Sequence, residues 1–197
     1  MDNQPENIEN KEKQKKPGIK KGLAFIVEII KIAIIAAVIV IPIRYYLFQP
    51  FFVRGQSMDP NFENGDYLII DEITYRFKSP ERGEVIVFKF PFDTSQRFIK
   101  RIIGLPGETV EIKDGKITIY NESGPVILDE SDYLNDFTAS DITIKLANNE
   151  YFVMGDNRDF SFDSRRFGPV AQEYIIGRVV LRAWPFDSLS IFAKPTY

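Results

Sequence analysis

The run Leu23–Ile43, LAFIVEIIKIAIIAAVIVIPI, carries Glu28 and Lys31 as its only charges, and this limits what its part of the chain can fold into. At about 1.5 Å per helical residue it reaches roughly 31 Å, one hydrocarbon thickness of a bilayer. Glu28 and Lys31 stand three apart, where they meet on one helical face, and both lie near the start of the run, within snorkelling reach of the headgroups. A buried soluble helix would show a polar side, and Ile32–Ile43 has none. A peripheral amphipathic helix needs a charged face, which is also missing. A cleaved signal peptide would end on small residues, whereas Ile41-Pro42-Ile43-Arg44-Tyr45-Tyr46 closes this run. The run therefore reads as a transmembrane anchor, taken with its flank as residues 23–48. Tyr45, Tyr46, Phe48, Phe51 and Phe52 are expected at the outer interface.

Residues 1–22 form a polar tail crowded with Lys11, Lys13, Lys15, Lys16, Lys20 and Lys21, too poor in apolar surface to fold alone. Lysines before the span, against Arg44 alone just after it, put the tail in the cytoplasm and residues 49–197 outside. The outer part is one domain's worth of chain, and its patterning is β. Glu84–Phe88 follows Gly83 and is rich in β-branched residues. Val110–Ile112 and Ile117–Ile119 alternate around Lys113-Asp114-Gly115-Lys116, a hairpin signal. Tyr67–Asp71, Phe98–Ile103, Ile142–Lys145, Tyr151–Met154 and Ile175–Ala183 are further strand candidates, and no long helical pattern follows the anchor. The expected fold class is mainly β, behind one N-terminal transmembrane helix. Residues 121–149 suggest no role.

Two absences restrict the chemistry. The chain has no histidine and no cysteine. A Ser–His–Asp triad, a thiol nucleophile, an ordinary zinc site and a disulfide are all excluded. Any general base must be Lys, Asp, Glu or Tyr. A net charge of -3 without a basic face gives no reason to expect nucleic acid as a partner. No cofactor or metal is expected.

Three segments hold candidate chemistry. In Phe52–Pro60, Gly55 permits unusual backbone angles and Pro60 stiffens the exit, so Ser57 can present its hydroxyl beside backbone N–H groups. Taken alone, the segment equally fits an ordinary loop serine. In Arg97–Glu108, strand alternation sets Phe98, Lys100 and Ile102 on one face and Ile99, Arg101 and Ile103 on the other. An amine held among those apolar neighbours loses proton affinity, as a lysine base requires; the same pattern fits an edge-strand lysine with its amine in water. Gly155–Pro169 mixes acids and arginines. A calcium loop fails on spacing, because Arg158 and Phe160 fall where oxygen ligands are needed. An ion-pair scaffold and a solvated polar loop both remain open.

Together these segments resemble the signature boxes of bacterial type I signal peptidases (leader peptidases). Gly-Gln-Ser-Met-Asp-Pro at 55–60 resembles the nucleophile box and Phe-Ile-Lys-Arg-Ile-Ile-Gly-Leu-Pro-Gly-Glu at 98–108 the base box. Gly-Asp-Asn-Arg-Asp at 155–159, with Ser161, Asp163, Ser164 and Arg165, resembles the last box. The short spacing and single anchor are similar to compact Gram-positive members. The resemblance implies a β catalytic domain with Ser57 as nucleophile, Lys100 as general base and Ser161 as a serine that positions the amine. It implies that Arg101 with Asp156, and Asp163 with Arg165, hold the site together, and that Met58 packs beside the nucleophile. Some members use a serine hydroxyl as second oxyanion donor where this chain has Gly55, and Phe160 replaces a common asparagine. The implied activity is a Ser/Lys dyad endopeptidase that removes signal peptides from secretory preproteins through an acyl-enzyme. It would cleave after small residues, at a membrane whose lipid surrounds the anchor. A self-cleaving Ser–Lys repressor protease, the nearest rival, fits the span poorly, and a silent peptide-binding homologue would lack Ser57 or Lys100.

Overall fold

The computed structural model describes residues 18–46, 48–134, 137–192 and 194–195. The expectation for the tail falls mostly outside them, on residues 1–17. Two compact units are present, residues 1–42 and 43–197. The first is the helical one. Helix α1, Gly18–Tyr46, starts before the apolar run and outlasts it. Its core, Gly22–Ile41, has a mean hydropathy of 2.8, is unburied within the protein, and is long and apolar enough to cross a membrane. A helix satisfies its own backbone, so nothing stops it at the edge of the apolar run. It therefore takes in Gly18–Gly22, assigned above to the tail. The strand that follows begins at Phe48, the residue expected to close the anchor.

The second unit is mainly β, as expected. Its strands are β1 (Phe48–Phe52), β2 (Tyr67–Asp71), β3 (Val85–Phe90), β4 (Asp93–Gly104), β5 (Thr109–Lys113), β6 (Lys116–Asn121), β7 (Gly124–Ile127), β8 (Ile142–Lys145), β9 (Glu150–Met154), β10 (Val170–Ala171), β11 (Ile175–Trp184) and β12 (Ser190–Ile191). The larger sheet runs β1-β2-β11-β3-β4-β9-β10, with β12 on β11; the smaller runs β7-β6-β5-β8. The Asp114-Gly115 hairpin forms as the pattern suggests, both residues having positive φ. After α1, the one α-helix among the described residues is the short α2, Ser164–Phe167, capped by the Asp163 carboxylate.

The β-branched run at β3 has a plain cause: both of its faces are buried. Val85 and Val87 join Val53, Met58, Phe62 and Ile99 in one apolar cluster, while Ile86 and Phe88 join Ile102, Tyr151 and Val153 in another. A third cluster, around Val110, Ile112, Ile117 and Phe152, fills the smaller sheet. Of the aromatic residues expected at the membrane interface, Phe51 instead packs on the first cluster, and Phe52 is exposed. The side chains of Tyr45, Tyr46 and Phe48 lie outside the described part.

Candidate active site

Ser57 sits in the turn that follows β1. Gly55 takes φ +93°, a region that a side chain strains, and its N–H donates to Asn64 Oδ1 at 2.9 Å. Met58, the next residue after Ser57, is buried in the first apolar cluster and pins the turn from below. The Ser57 carbonyl accepts from the Asn157 N–H at 3.1 Å, tying the turn to the segment after β9. The Ser57 N–H donates to no described residue.

Lys100 lies in the buried half of β4, opposite Ile86 on β3, and is 4% exposed. Its Nζ donates to Ser57 Oγ at 2.7 Å and to the Ile99 carbonyl at 2.8 Å, with the Phe98 ring 5.6 Å away. It makes no ion pair with a described carboxylate. Burial lowers the amine's pKa to about 8, against the opposing pull of Asp163 and Asp156. The edge-strand alternative is thereby set aside: the amine is not in water.

The ion-pair scaffold is also present. Arg101, one residue on and so on the other face of β4, donates from Nε and Nη2 to the Asp156 carboxylate at 2.8 and 2.6 Å, and from Nη1 to the Gly83 carbonyl. Asp156 also accepts from Asn61 Nδ2 at 2.9 Å. Arg165 donates from Nε and Nη2 to both oxygens of Asp163, at 2.9 Å each. Burial raises the Asp163 pKa, but the Arg165 guanidinium, the Gly155 N–H and the nearby Ser161 hydroxyl outweigh it and leave the carboxyl below its ordinary value.

Ser161 is buried beside the turn that carries Ser57. Its Oγ is buried but makes no hydrogen bond of ordinary geometry, to Lys100 or to any other described group. The side chain lies instead against Gly155, where a Cβ would overlap both Ser161 and the Ser57 carbonyl oxygen. Phe160 leaves the local backbone intact, since its N–H donates to Asn157 Oδ1 at 3.2 Å, and its ring is exposed.

Ser57 and Lys100 open onto a groove of about 540 Å³ lined by Pro50, Phe52, Phe98, Phe160 and Phe162 among others. A larger cavity of about 740 Å³ opens beside Arg101 and Tyr133 and holds neither Ser57 nor Lys100. The Ser57–Lys100 contact lies on the smaller one. Two edges flank it. Among the described residues, β1 pairs with β2 alone, and β9 covers β4 only from Arg101 onward. A buried, unpaired amine 2.7 Å from a serine hydroxyl on an open groove can activate that serine toward a carbonyl.

The family model described as "Signal peptidase, peptidase S26" matches residues 26–184, which include every residue of this site. The chain belongs to the signal peptidase family, peptidase S26. Within the family it is 34% identical over 169 residues to the "Probable signal peptidase I-1" of a Synechocystis species, covering 82% of this chain and 84% of that protein. It is 34% identical over 157 residues to "Signal peptidase I V" of Bacillus subtilis, covering 73% and 90%. To "Signal peptidase I" of Leptolyngbya laminosa it is 34% identical, covering 86% and 85%. It is therefore a peptide-bond hydrolase, a serine protease of this family.

Sequence reasoning gave no role to Asn61, Glu130, Thr138, Asn157 or Arg158, each of which contacts the scaffold. Arg158 and Asn157 lie inside the last box, and their neighbourhood was the available signal. Glu130 and Thr138 sit in 121–149, where no periodicity or motif points to a partner in the box.

Proposed function

We propose that this peptidase removes N-terminal signal peptides from exported preproteins, with Ser57 as nucleophile and Lys100 as general base. The observation that carries the reading is the 2.7 Å contact between Ser57 Oγ and an amine whose pKa burial has brought down to about 8. The neutral amine accepts the Ser57 proton along that contact as Oγ attacks the scissile carbonyl. The resulting ammonium protonates the departing amine, leaving an acyl-enzyme ester on Ser57. Neutral again, Lys100 takes a proton from the water that hydrolyses the ester. The unengaged Ser57 N–H is available to the developing oxyanion; the Gly55 N–H is committed to Asn64. The hydroxyl of Ser161, which makes no hydrogen bond of ordinary geometry and lies near Asp163, is available to orient the amine.

An extended substrate laid along the free edges of β1 and β4 would gain main-chain hydrogen bonds, as strand addition does elsewhere. Its residues one and three before the scissile bond would face the same wall. That alternation gives a physical reason for a paired requirement for small side chains at those positions. The apolar helix α1 supports anchorage in membrane lipid, and the lysines before it favour a cytoplasmic N-terminus with the β domain outside. An anchored enzyme then shares its bilayer with the apolar segment of its substrate.

The test uses the full chain in detergent with a preprotein, mapping the new N-terminus. Wild type should cut after a small residue, and Ser57→Ala and Lys100→Ala should leave the preprotein whole. Full cleavage by either variant overturns the dyad.

A further inference from the structure

We infer that Glu130, in the connection between β7 and β8, is a positioning residue for the dyad, acting through Arg158 and Tyr133. Arg158 is 2% exposed and lies in the box that follows β9. Its Nη1 and Nη2 donate to the two oxygens of Glu130 at 2.8 and 2.7 Å, and Nη1 also bonds Thr138 Oγ1. Nε donates to the Gly155 carbonyl at 3.0 Å. Five donors in a rigid fork need such a set of acceptors once buried.

Gly155 is where this clasp meets the chemistry. Its N–H donates to Asp163 Oδ2 at 3.0 Å, and a Cβ at this position would overlap both the Ser57 carbonyl oxygen and the Ser161 side chain. Two residues on, the Asn157 N–H holds that same Ser57 carbonyl. A shift of the Gly155 peptide therefore moves the floor on which Ser57 rests.

A second arm leaves Glu130 through Tyr133. The Tyr133 hydroxyl donates to Glu130 Oε1 at 2.6 Å, its ring lies 4.1 Å from the Arg101 guanidinium carbon, and its carbonyl accepts from Asn61 Nδ2 at 2.9 Å. Arg101 is the strand neighbour of Lys100. One carboxylate thus braces the supports of both members of the dyad while itself bonding to Tyr133 and Arg158.

Small displacements of reacting groups cost rate far more than binding. The inference rests on the Ser57–Lys100 reading. In the full chain in detergent, Glu130→Gln should lower kcat for preprotein cleavage about tenfold or more per folded molecule, with KM within about twofold of wild type. Glu130→Asp, which restores the charge, should recover part of the loss. Thr138→Val should lower kcat by a smaller factor, and it decides the matter if Glu130→Gln does not fold. A wild-type kcat per folded molecule in Glu130→Gln, or in Thr138→Val where only that variant folds, overturns the inference. So does a loss confined to KM. Ser57→Ala is run beside them: if it cleaves, the dyad reading fails, whereas inactive Ser57→Ala with an unimpaired Glu130→Gln rejects the clasp alone.

Discussion

Lys100 and Arg101 are consecutive residues of one strand, both buried and both basic, yet the two faces of β4 treat them in opposite ways. Arg101 meets a carboxylate on two bonds, a backbone carbonyl and an aromatic ring. Lys100 meets a serine hydroxyl and a carbonyl, with no carboxylate bonded to it. The difference follows from what each group can give up. A guanidinium does not deprotonate in a protein, so burial obliges it to find partners. An amine can release its proton, and the Lys100 face makes release cheaper than retention at mildly alkaline pH. The two faces are also linked. Asp156 and Asp163 both act to keep Lys100 charged, and each is engaged by an arginine. Each arginine thus holds a carboxylate that would otherwise be free to pair with the amine.

The harshest way to break this contrast is to make the Lys100 face carry the other residue. Lys100→Arg keeps a cation but removes a base able to lose its proton. Initial cleavage rates should fall by about 10³-fold or more, the scale of a lost general base. Activity within tenfold of wild type would mean that deprotonation at this position is not needed. Next in size is the opposite face. Arg101→Gln leaves the buried Asp156 carboxylate with Asn61 as its one remaining side-chain partner among the described residues. Unfolding in denaturant should show a loss of about 3–5 kcal/mol, the cost of breaking a buried pair from one side. In the double variant Arg101→Gln/Asp156→Asn much of that loss should return. If the single change costs less than about 1 kcal/mol, Arg101 is not holding a buried charge.

How much of this contrast could be read from the chain is itself uneven. Period-two alternation alone put Lys100 with Phe98 and Ile102 and Arg101 on the other side, and the structure keeps that division. Strand existence was legible wherever β-branched runs are buried on one or both faces, as at β3 and β2. It was not legible at β1, where Pro50 and the nearby anchor obscured the pattern, nor at β7, which has no buried face, nor at the two-residue strands β10 and β12. Contacts set by tertiary register were beyond reach. The Arg158–Glu130 pair spans 28 positions with no periodic relation, and alternation cannot say whether Ser161 reaches Lys100. Where a loop hydroxyl points is set by tertiary packing, which local sequence does not dictate.

A third prediction sharpens the comparison through pH. The acid limb of kcat/KM should have its midpoint near about 8, because the reaction needs the neutral amine. A limb rising only near 10.5, the ordinary lysine value, would argue against a desolvated base. Stability should follow the same group with a definite sign. Below about pH 8 Lys100 is protonated folded and unfolded, and burial of the ammonium is a standing cost. Between about 8 and 10.5 the unfolded chain binds a proton that the folded chain does not, so this residue's contribution rises with pH across that window. The rise is on the order of 3 kcal/mol. Compared with Lys100→Met by denaturant unfolding, wild type should gain stability across that window. Parallel curves would show an amine that titrates at its ordinary value.

The smallest effect expected is at Ser161, where the two faces no longer decide the outcome and a single hydroxyl does. One neutral hydrogen bond is worth about 0.5–1.5 kcal/mol, which is roughly two- to tenfold in rate. If Ser161 orients the amine during turnover, Ser161→Ala should lower kcat within that range. Stability should not fall with it, because the buried Oγ makes no hydrogen bond of ordinary geometry whose loss would be felt. Removing a buried hydroxyl without a partner is neutral or favourable. Melting temperature and kcat measured on the same preparation separate the possibilities. A lower kcat with an unchanged or higher melting temperature assigns Ser161 to catalysis, where it acts on an amine that no carboxylate holds in place. An unchanged kcat would leave Lys100 oriented by the Ile99 carbonyl and Ser57 alone.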